Sequence, residues 1–128
     1  MKPDGISGQV VDAAYPIHSR FGPGLLGSVY EVLMLHELTK RGLRVERQVA
    51  VPLSCDGVVA DRAFRADLFV EDLLIVELKS ADALTTIHRK QLVTYLKVSG
   101  KPVGLLINFN ASLFKDGIAR LVNQLPTE

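Results

Sequence analysis

Four consecutive aliphatic residues, Leu73-Leu74-Ile75-Val76, run directly into Glu77-Leu78-Lys79. A short unbroken apolar run of this kind is what a strand buried on both faces requires. Strand alternation puts Leu73, Ile75, Glu77 and Lys79 on one face and Leu74, Val76 and Leu78 on the other. The strand therefore finishes by presenting a carboxylate and an ammonium about 7 Å apart on one face. Buried there, these charges are costly unless they are paired or bind a metal. If the strand end reaches solvent, they form a surface ion pair worth about 0–1 kcal/mol. On this strand alone the two readings stand level.

The rest of the chain builds layers around such a strand. Residues 7–20 read as a short amphipathic helix, with Ser7 as a cap and Val10, Val11, Ala14 and Ile17 near one stripe. Pro16 is expected to kink or restart it. Phe21-Gly22-Pro23-Gly24 reads as a turn. Residues 24–41 form a helix in which Leu26, Val29, Tyr30, Leu33 and Glu37 share a stripe, with Gly42 as its stop. Leu25, Val32, Met34, Leu35 and Leu38 spread around the remaining circumference, so this helix needs two contacting layers. The N-terminal helix or a second copy of the chain can supply the outer one, and a homodimer is the expectation. Residues 43–54 read as a strand with Val45, Val49, Val51 and Leu53 on one face and Arg47 interrupting. Asp56-Gly57 is turn chemistry, and strands follow at roughly 58–70 and 73–79. A helix over 83–99 stops at Gly100, a buried strand follows at 103–109, and the tail from 112 to 124 is open between strand and helix. The order αβββαβ implies an antiparallel meander, then a strand returned parallel by a right-handed crossover. The expected fold is α/β, a mixed β-sheet flanked by helices.

Composition excludes several alternatives. One domain over 1–128 fits the length of 128 residues, and 48% hydrophobic residues suffice for a core. Fifteen Lys and Arg against fourteen Asp and Glu leave a net charge of +1, which argues against a polybasic chain that holds nucleic acid by bulk charge. Cys55 is the sole cysteine, so neither an internal disulfide nor a cysteine-only metal cluster can form within one chain. No apolar run approaches the roughly 18 residues of a membrane span, and the first residues lack a signal-peptide apolar segment. A cytoplasmic protein with no membrane association is expected.

Asp67 shifts the balance at the charged strand end. It opposes Glu77 only if the pairing joins residues whose numbers sum to 144, such as Val70 with Leu74. A two-residue turn at Glu71-Asp72 would put the carboxylates on opposite faces, so an odd-length turn or a bulge is required. If that demand is met, Asp67 and Glu77 form a hard oxygen pair suited to Mg²⁺ or Mn²⁺. On the helix over 83–99, Leu84, Ile87, His88, Gln91, Tyr95 and Val98 fall on one stripe, with Arg89, Lys90 and Lys97 away from it. His88, Gln91 and Tyr95 in a core-facing stripe need partners. Backbone groups and water satisfy them in one reading; a site satisfies them in the other.

Asp67, followed nine residues on by Glu77-Leu78-Lys79, resembles the motif of the PD-(D/E)XK nuclease superfamily. Gln91-Leu92-Val93-Thr94-Tyr95 resembles the QxxxY helix motif of its RecB-like branch. The chain as a whole, over roughly 10–122, is similar to the small bacterial GxxExxY proteins grouped with these nucleases. Gly22-Pro23-Gly24-Leu25-Leu26, Ser28-Val29-Tyr30, Val51-Pro52-Leu53, Arg65-Ala66-Asp67-Leu68, Val76-Glu77-Leu78-Lys79, His88 and Gly104 to Phe109 carry the likeness. One position departs from the pattern. Gly24 and Tyr30 are present, but Gly27 stands where the motif has Glu, which removes a candidate acidic ligand. Glu31, one turn later, is expected to be an ordinary solvated or ion-paired residue.

The resemblance implies a restriction-endonuclease-like domain and metal-dependent hydrolysis of phosphodiester bonds in DNA or RNA. It implies Asp67 and Glu77 as metal ligands with the Leu78 carbonyl, and Lys79 as the residue that orients water and steadies charge on the phosphate. It places Gln91 and Tyr95 as positioning groups in the catalytic set, and His88 and Arg65 toward the substrate, with Arg62 and Arg47 along the approach. The competing expectation is the same fold serving as a weakened or inactive module that binds nucleic acid or a protein. A third is a structural homodimer subunit.

Overall fold

A computed structural model describes residues 2–123 of the chain. Two helices come first, α1 at Pro3–Phe21 and α2 at Gly27–Lys40. Three strands follow: β1 at Val45–Cys55, β2 at Val58–Val70 and β3 at Leu74–Lys79. Helix α3 at Thr86–Ser99 leads to β4 at Val103–Asn108. A single 3-10 turn at Phe114–Gly117 then precedes β5 at Ile118–Val122. The tail over 112–124, left open between strand and helix, thus holds a 3-10 turn and then a strand, while Gln124 and the ends of the 1–128 domain expectation lie outside the described residues.

The sheet runs β1-β2-β3-β4-β5 in chain order. β3 and β4 are parallel and the other neighbours antiparallel, the mixed arrangement expected of a meander followed by a helical crossover. One face carries Leu68, Val70, Leu74, Val76, Leu105 and Ile107, packed against α1 and α2. The other carries Phe69, Ile75 and Leu106, packed against Leu92 and Leu96 of α3. The aliphatic run that becomes β3 is therefore buried on both sides.

The helices differ from expectation in instructive ways. Proline suits the first turn of a helix, and α1 begins with Pro3 rather than at Ser7, whose hydroxyl donates to the Asp4 carbonyl at 3.0 Å. Pro16 lies inside α1 without ending it, because Ile6, Val10, Ala13, Ala14 and Ile17 are buried on either side of it. These residues cover Tyr30, Met34 and Leu38 of α2, so the N-terminal helix supplies that layer, one of the two covers expected, while Leu26 and Val32 on α2 stay exposed. Helix α2 starts at Gly27, later than 24. The Tyr30 hydroxyl donates to the Gly22 carbonyl and accepts from the Leu25 N–H, which holds the intervening turn out of the helix. The Tyr30 ring stacks on Phe109 with centroids 4.3 Å apart. Among the described residues no helix is long and apolar enough to cross a membrane.

In α3 the core-facing stripe is rotated from the expected one. Leu92 and Leu96 are buried, whereas Ile87 is 69% exposed and Gln91 is also exposed. Gly104 of β4 explains how closely α3 docks: a methyl there would lie 2.9 Å from the Leu92 side chain.

Val45, Val49, Val51 and Leu53 do not share a face. Val45 packs with the α1/α2 core, Val49 and Val51 with the α3 core, and Leu53 is 41% exposed. The same change occurs in β2, where Phe64 and Ala66 face α3 but Leu68 and Val70 face α1 and α2. Both strands slip one residue in their alternation at a single rung, between Arg47↔Leu68 and Val49↔Ala66. That rung is Gln48 and Asp67.

Candidate active site

The β2–β3 connection meets the register demand. Val70 pairs with Leu74, Phe69 with Ile75 and Leu68 with Val76, across a three-residue turn in which Glu71 and Asp72 both have φ near 54°. The next rung would set Asp67 against Glu77, but there main-chain pairing ceases and carboxylates take its place. The Asp67 N–H donates to Glu77 Oε2 at 3.0 Å, and the Leu78 N–H donates to Asp67 Oδ2 at 2.8 Å. Asp67 and Glu77 thus bridge the mouth of two diverging strands, each through one carboxylate oxygen.

Glu77 is 5% exposed. Burial, and then the charge of Asp67, pushes its carboxyl up to about 8. A lone buried proton or a bound cation would each relieve this repulsion. Leu78 packs on the α1/α2 side, so Ile75, Glu77 and Lys79 alternate toward α3. Lys79 is half-buried and lowers the Glu77 pKa slightly against the larger upward effects.

Helix α3 brings Tyr95 to this site. Its ring stacks on Phe64 at 4.0 Å, and burial together with the Glu77 and Asp67 charges raises its hydroxyl pKa. Gln91 lies one turn earlier on α3 and is exposed. His88 is engaged at the helix start: Thr85 Oγ1 accepts from the His88 N–H, and His88 Nδ1 accepts from the Thr85 N–H at 3.1 Å. This is a capping box with imidazole in the usual place of a carboxylate. Arg65 is exposed on β2, and Arg62 is likewise exposed. Arg47 is also exposed, and its Nε donates to Glu31 Oε1 at 3.1 Å.

Glu31 is ion-paired, as one of its two expected readings had it, but it is buried where a solvated carboxylate was the alternative. It is 8% exposed, and its second oxygen accepts from Gln48 Nε2 at 2.9 Å. Gln48 Nε2 also lies 3.4 Å from Asp67 Oδ1. Gln48 has φ of 50°, and a left-handed backbone costs a residue with a side chain about 1–3 kcal/mol. Sequence reasoning passed over Gln48, and its only trace was the broken alternation near Arg47. It also missed the role of Asn108, 3% exposed at the end of β4 beside Lys79. The Asn108 amide accepts from the Ala81 N–H and donates to the Ala81 carbonyl, fixing the loop after Lys79. A polar residue closing an apolar strand was the available signal, the same one that picked out Glu77.

Gly27 opens α2 and is exposed, and a Cβ there would meet open space. Among the described residues no group of three or more His, Cys, Asp or Glu side chains is placed to hold one ion. Two converging carboxylates, whose oxygens keep lone pairs beside their hydrogen bonds, are nonetheless a donor set that fits Mg²⁺ or Mn²⁺. Such ions commonly take one or two carboxylates and complete their shell with water and phosphate.

A mixed sheet with an acidic pair at the diverging end of β2 and β3, followed by lysine, defines a nuclease-type architecture. The chain belongs to the PD-(D/E)XK nuclease superfamily, whose family model matches residues 4–121. The fold is accordingly restriction-endonuclease-like. Comparison with curated proteins and with solved structures gave no significant match.

Proposed function

We propose that the protein is a metal-dependent nuclease that hydrolyses phosphodiester bonds in DNA or RNA. Within the superfamily the chain would group with the GxxExxY proteins, and its Gln91–Tyr95 segment would correspond to the QxxxY motif of the RecB-like branch. The observation that carries this reading is the convergence of Asp67 and Glu77 across the open end of β2 and β3, with Lys79 two residues on. Asp67 and Glu77 would hold Mg²⁺ or Mn²⁺ together with the Leu78 carbonyl. When bound, the cation polarises a phosphoryl oxygen and acidifies water.

The remaining roles fall to the chain's own groups. The Lys79 ammonium donates toward water and the phosphate and offsets charge that develops there. Tyr95 and Gln91, one turn apart, orient Lys79 or the strand to be cut. The His88 imidazole, with Nδ1 acting as an acceptor, presents its N–H at Nε2 and can donate a hydrogen bond from it to phosphate. Arg65 contributes charge from β2. Helix α3 contains no acidic residue, and Arg89, Lys90 and Lys97 line an exposed groove of about 370 Å³ on its outer side. This supports a nucleic-acid partner despite the net charge of +1.

The second reading, a weakened or inactive module that binds without cutting, is favoured by one observation: Gly27 stands where the motif has Glu. Calorimetric titration with Mn²⁺, followed by cleavage assays on DNA and RNA with Mg²⁺ and Mn²⁺, separates the two. The nuclease takes up metal and cuts. Nucleic-acid binding without cleavage selects the module.

A further inference from the structure

Four residues other than glycine adopt a left-handed backbone among the described residues. Asp56, Glu71 and Asp72 sit in the turns between strands, where that conformation closes a hairpin. Gln48 is the exception, because it lies inside β1. It is exposed, so apolar burial does not hold it in that conformation. What its conformation achieves is a reach in two directions. The Gln48 amide nitrogen lies 2.9 Å from Glu31 on α2 and 3.4 Å from Asp67 on β2. The other Glu31 oxygen is fixed by Arg47.

We infer that Gln48 is a positioning residue that holds the second oxygen of Asp67, Oδ1, and anchors it to the buried Glu31 carboxylate. The inference rests on the metal-site reading of Asp67 and Glu77 and extends it. Asp67 Oδ2 is already tied to β3 through Leu78, so Oδ1 is the oxygen left for a ligand. A carboxylate fixed at one oxygen can still swing at the other. The Gln48 amide removes that freedom, and Glu31 removes it from Gln48. Glu31 acts as the anchor of this chain of contacts, one side chain removed from the site. The slip in alternation shared by β1 and β2 is what brings Gln48 and Asp67 to one rung.

Three variants test this. Gln48→Gly takes the same backbone without steric cost and lacks the amide. Gln48→Asn tolerates the left-handed region but is one methylene short. Glu31→Ala removes the anchor. In the metal-free protein, the Asp67 carboxyl ¹³C resonance at fixed pH should move in all three, while the Gln48→Gly thermal midpoint stays level or rises. Mn²⁺ affinity should fall about tenfold, as expected when a group supporting a metal ligand is lost. The Gln48→Gly/Glu31→Ala double variant should be no weaker than the worse single one, because both act on one chain of contacts. An Asp67 resonance unmoved in both Gln48 variants overturns the inference. So does an affinity that falls only in step with the thermal midpoint. If the parent protein takes up no Mn²⁺, the metal-site reading fails, and the metal-free Asp67 resonance still decides the role of Gln48.

Discussion

The main-chain N–H of Asp67 donates to the Glu77 carboxylate, and the carboxylate of Asp67 accepts the N–H of Leu78, at 3.0 and 2.8 Å. The two acids therefore complete the β2–β3 ladder at the point where backbone pairing stops. Removing either one should have both a structural and a chemical effect. Glu77→Ala leaves the Asp67 N–H without its acceptor, which should cost about 1–3 kcal/mol. It should also abolish Mn²⁺ uptake. Thermal melts with and without Mn²⁺ measure the two effects separately, since only the parent should gain stability from the metal.

The metal-free protein should lose stability as pH rises. Glu77 is raised from 4.5 to about 8 by burial and by Asp67, so the folded state binds its proton more tightly than the unfolded chain. The stabilisation is fully present below pH 4.5 and is lost progressively as pH climbs through about 8. Asp67→Asn removes the neighbouring charge and should flatten this slope. Mn²⁺ binding near pH 7 should release a proton, seen as a calorimetric heat that varies with the buffer's ionisation enthalpy.

Lys79→Met should separate binding from chemistry. The ammonium is not among the oxygen donors, so Mn²⁺ affinity should change little. Cleavage should fall by about 10²–10³-fold if Lys79 stabilises charge on the phosphate. Equal cleavage by the variant and the parent would remove Lys79 from the mechanism.

Gly27→Glu should stabilise α2 and test the missing motif residue together. A carboxylate in the first turn gains about 0.3–1 kcal/mol from the helix dipole, and loss of glycine adds about 1 kcal/mol. Open space around a Cβ at this position means nothing obstructs the change. Gly27→Ala isolates the propensity gain. Tighter Mn²⁺ binding and faster cleavage in Gly27→Glu alone would show that position 27 reaches the site.

Gly104→Ala should lower the thermal midpoint by several degrees, corresponding to about 1–3 kcal/mol of overpacking. Its methyl would lie 2.9 Å from Leu92, which is 1% exposed and cannot swing into solvent. The Tyr95 ring proton resonances, set by its stacking on Phe64, would report whether α3 also shifts.

The layers and the central acids were legible because local patterns determine them. The aliphatic run had to give a buried strand, which it does from Leu74, with Leu73 closing the turn, and Asp67 with Glu77 set a register condition that this three-residue turn fulfils. What escaped was tertiary. Period-two alternation assumes an unbroken strand, so Val45, Val49 and Val51 were placed on one face, and the slip at Gln48 was invisible. Glu31 looked like any helix carboxylate, since its burial depends on Arg47 and Gln48 from a different element. In α3 a helical stripe centred on Ile87 and Gln91 looked as good as the true one through Leu92 and Leu96, because only the docking against Gly104 chooses between them.

β1 and β2 have 11 and 13 residues, whereas β3 has 6 and pairs with β2 only from Leu68 to Val70. The hairpin beyond the Val51/Phe64 rung, the last that packs on α3, is therefore a lever arm rooted in the sheet, with Val58 and Val59 exposed near its tip. Residues added or removed in matched pairs along this arm would alter how far the protein extends while leaving the acidic pair in place. Reach and chemistry are thus separately adjustable parts of one hairpin.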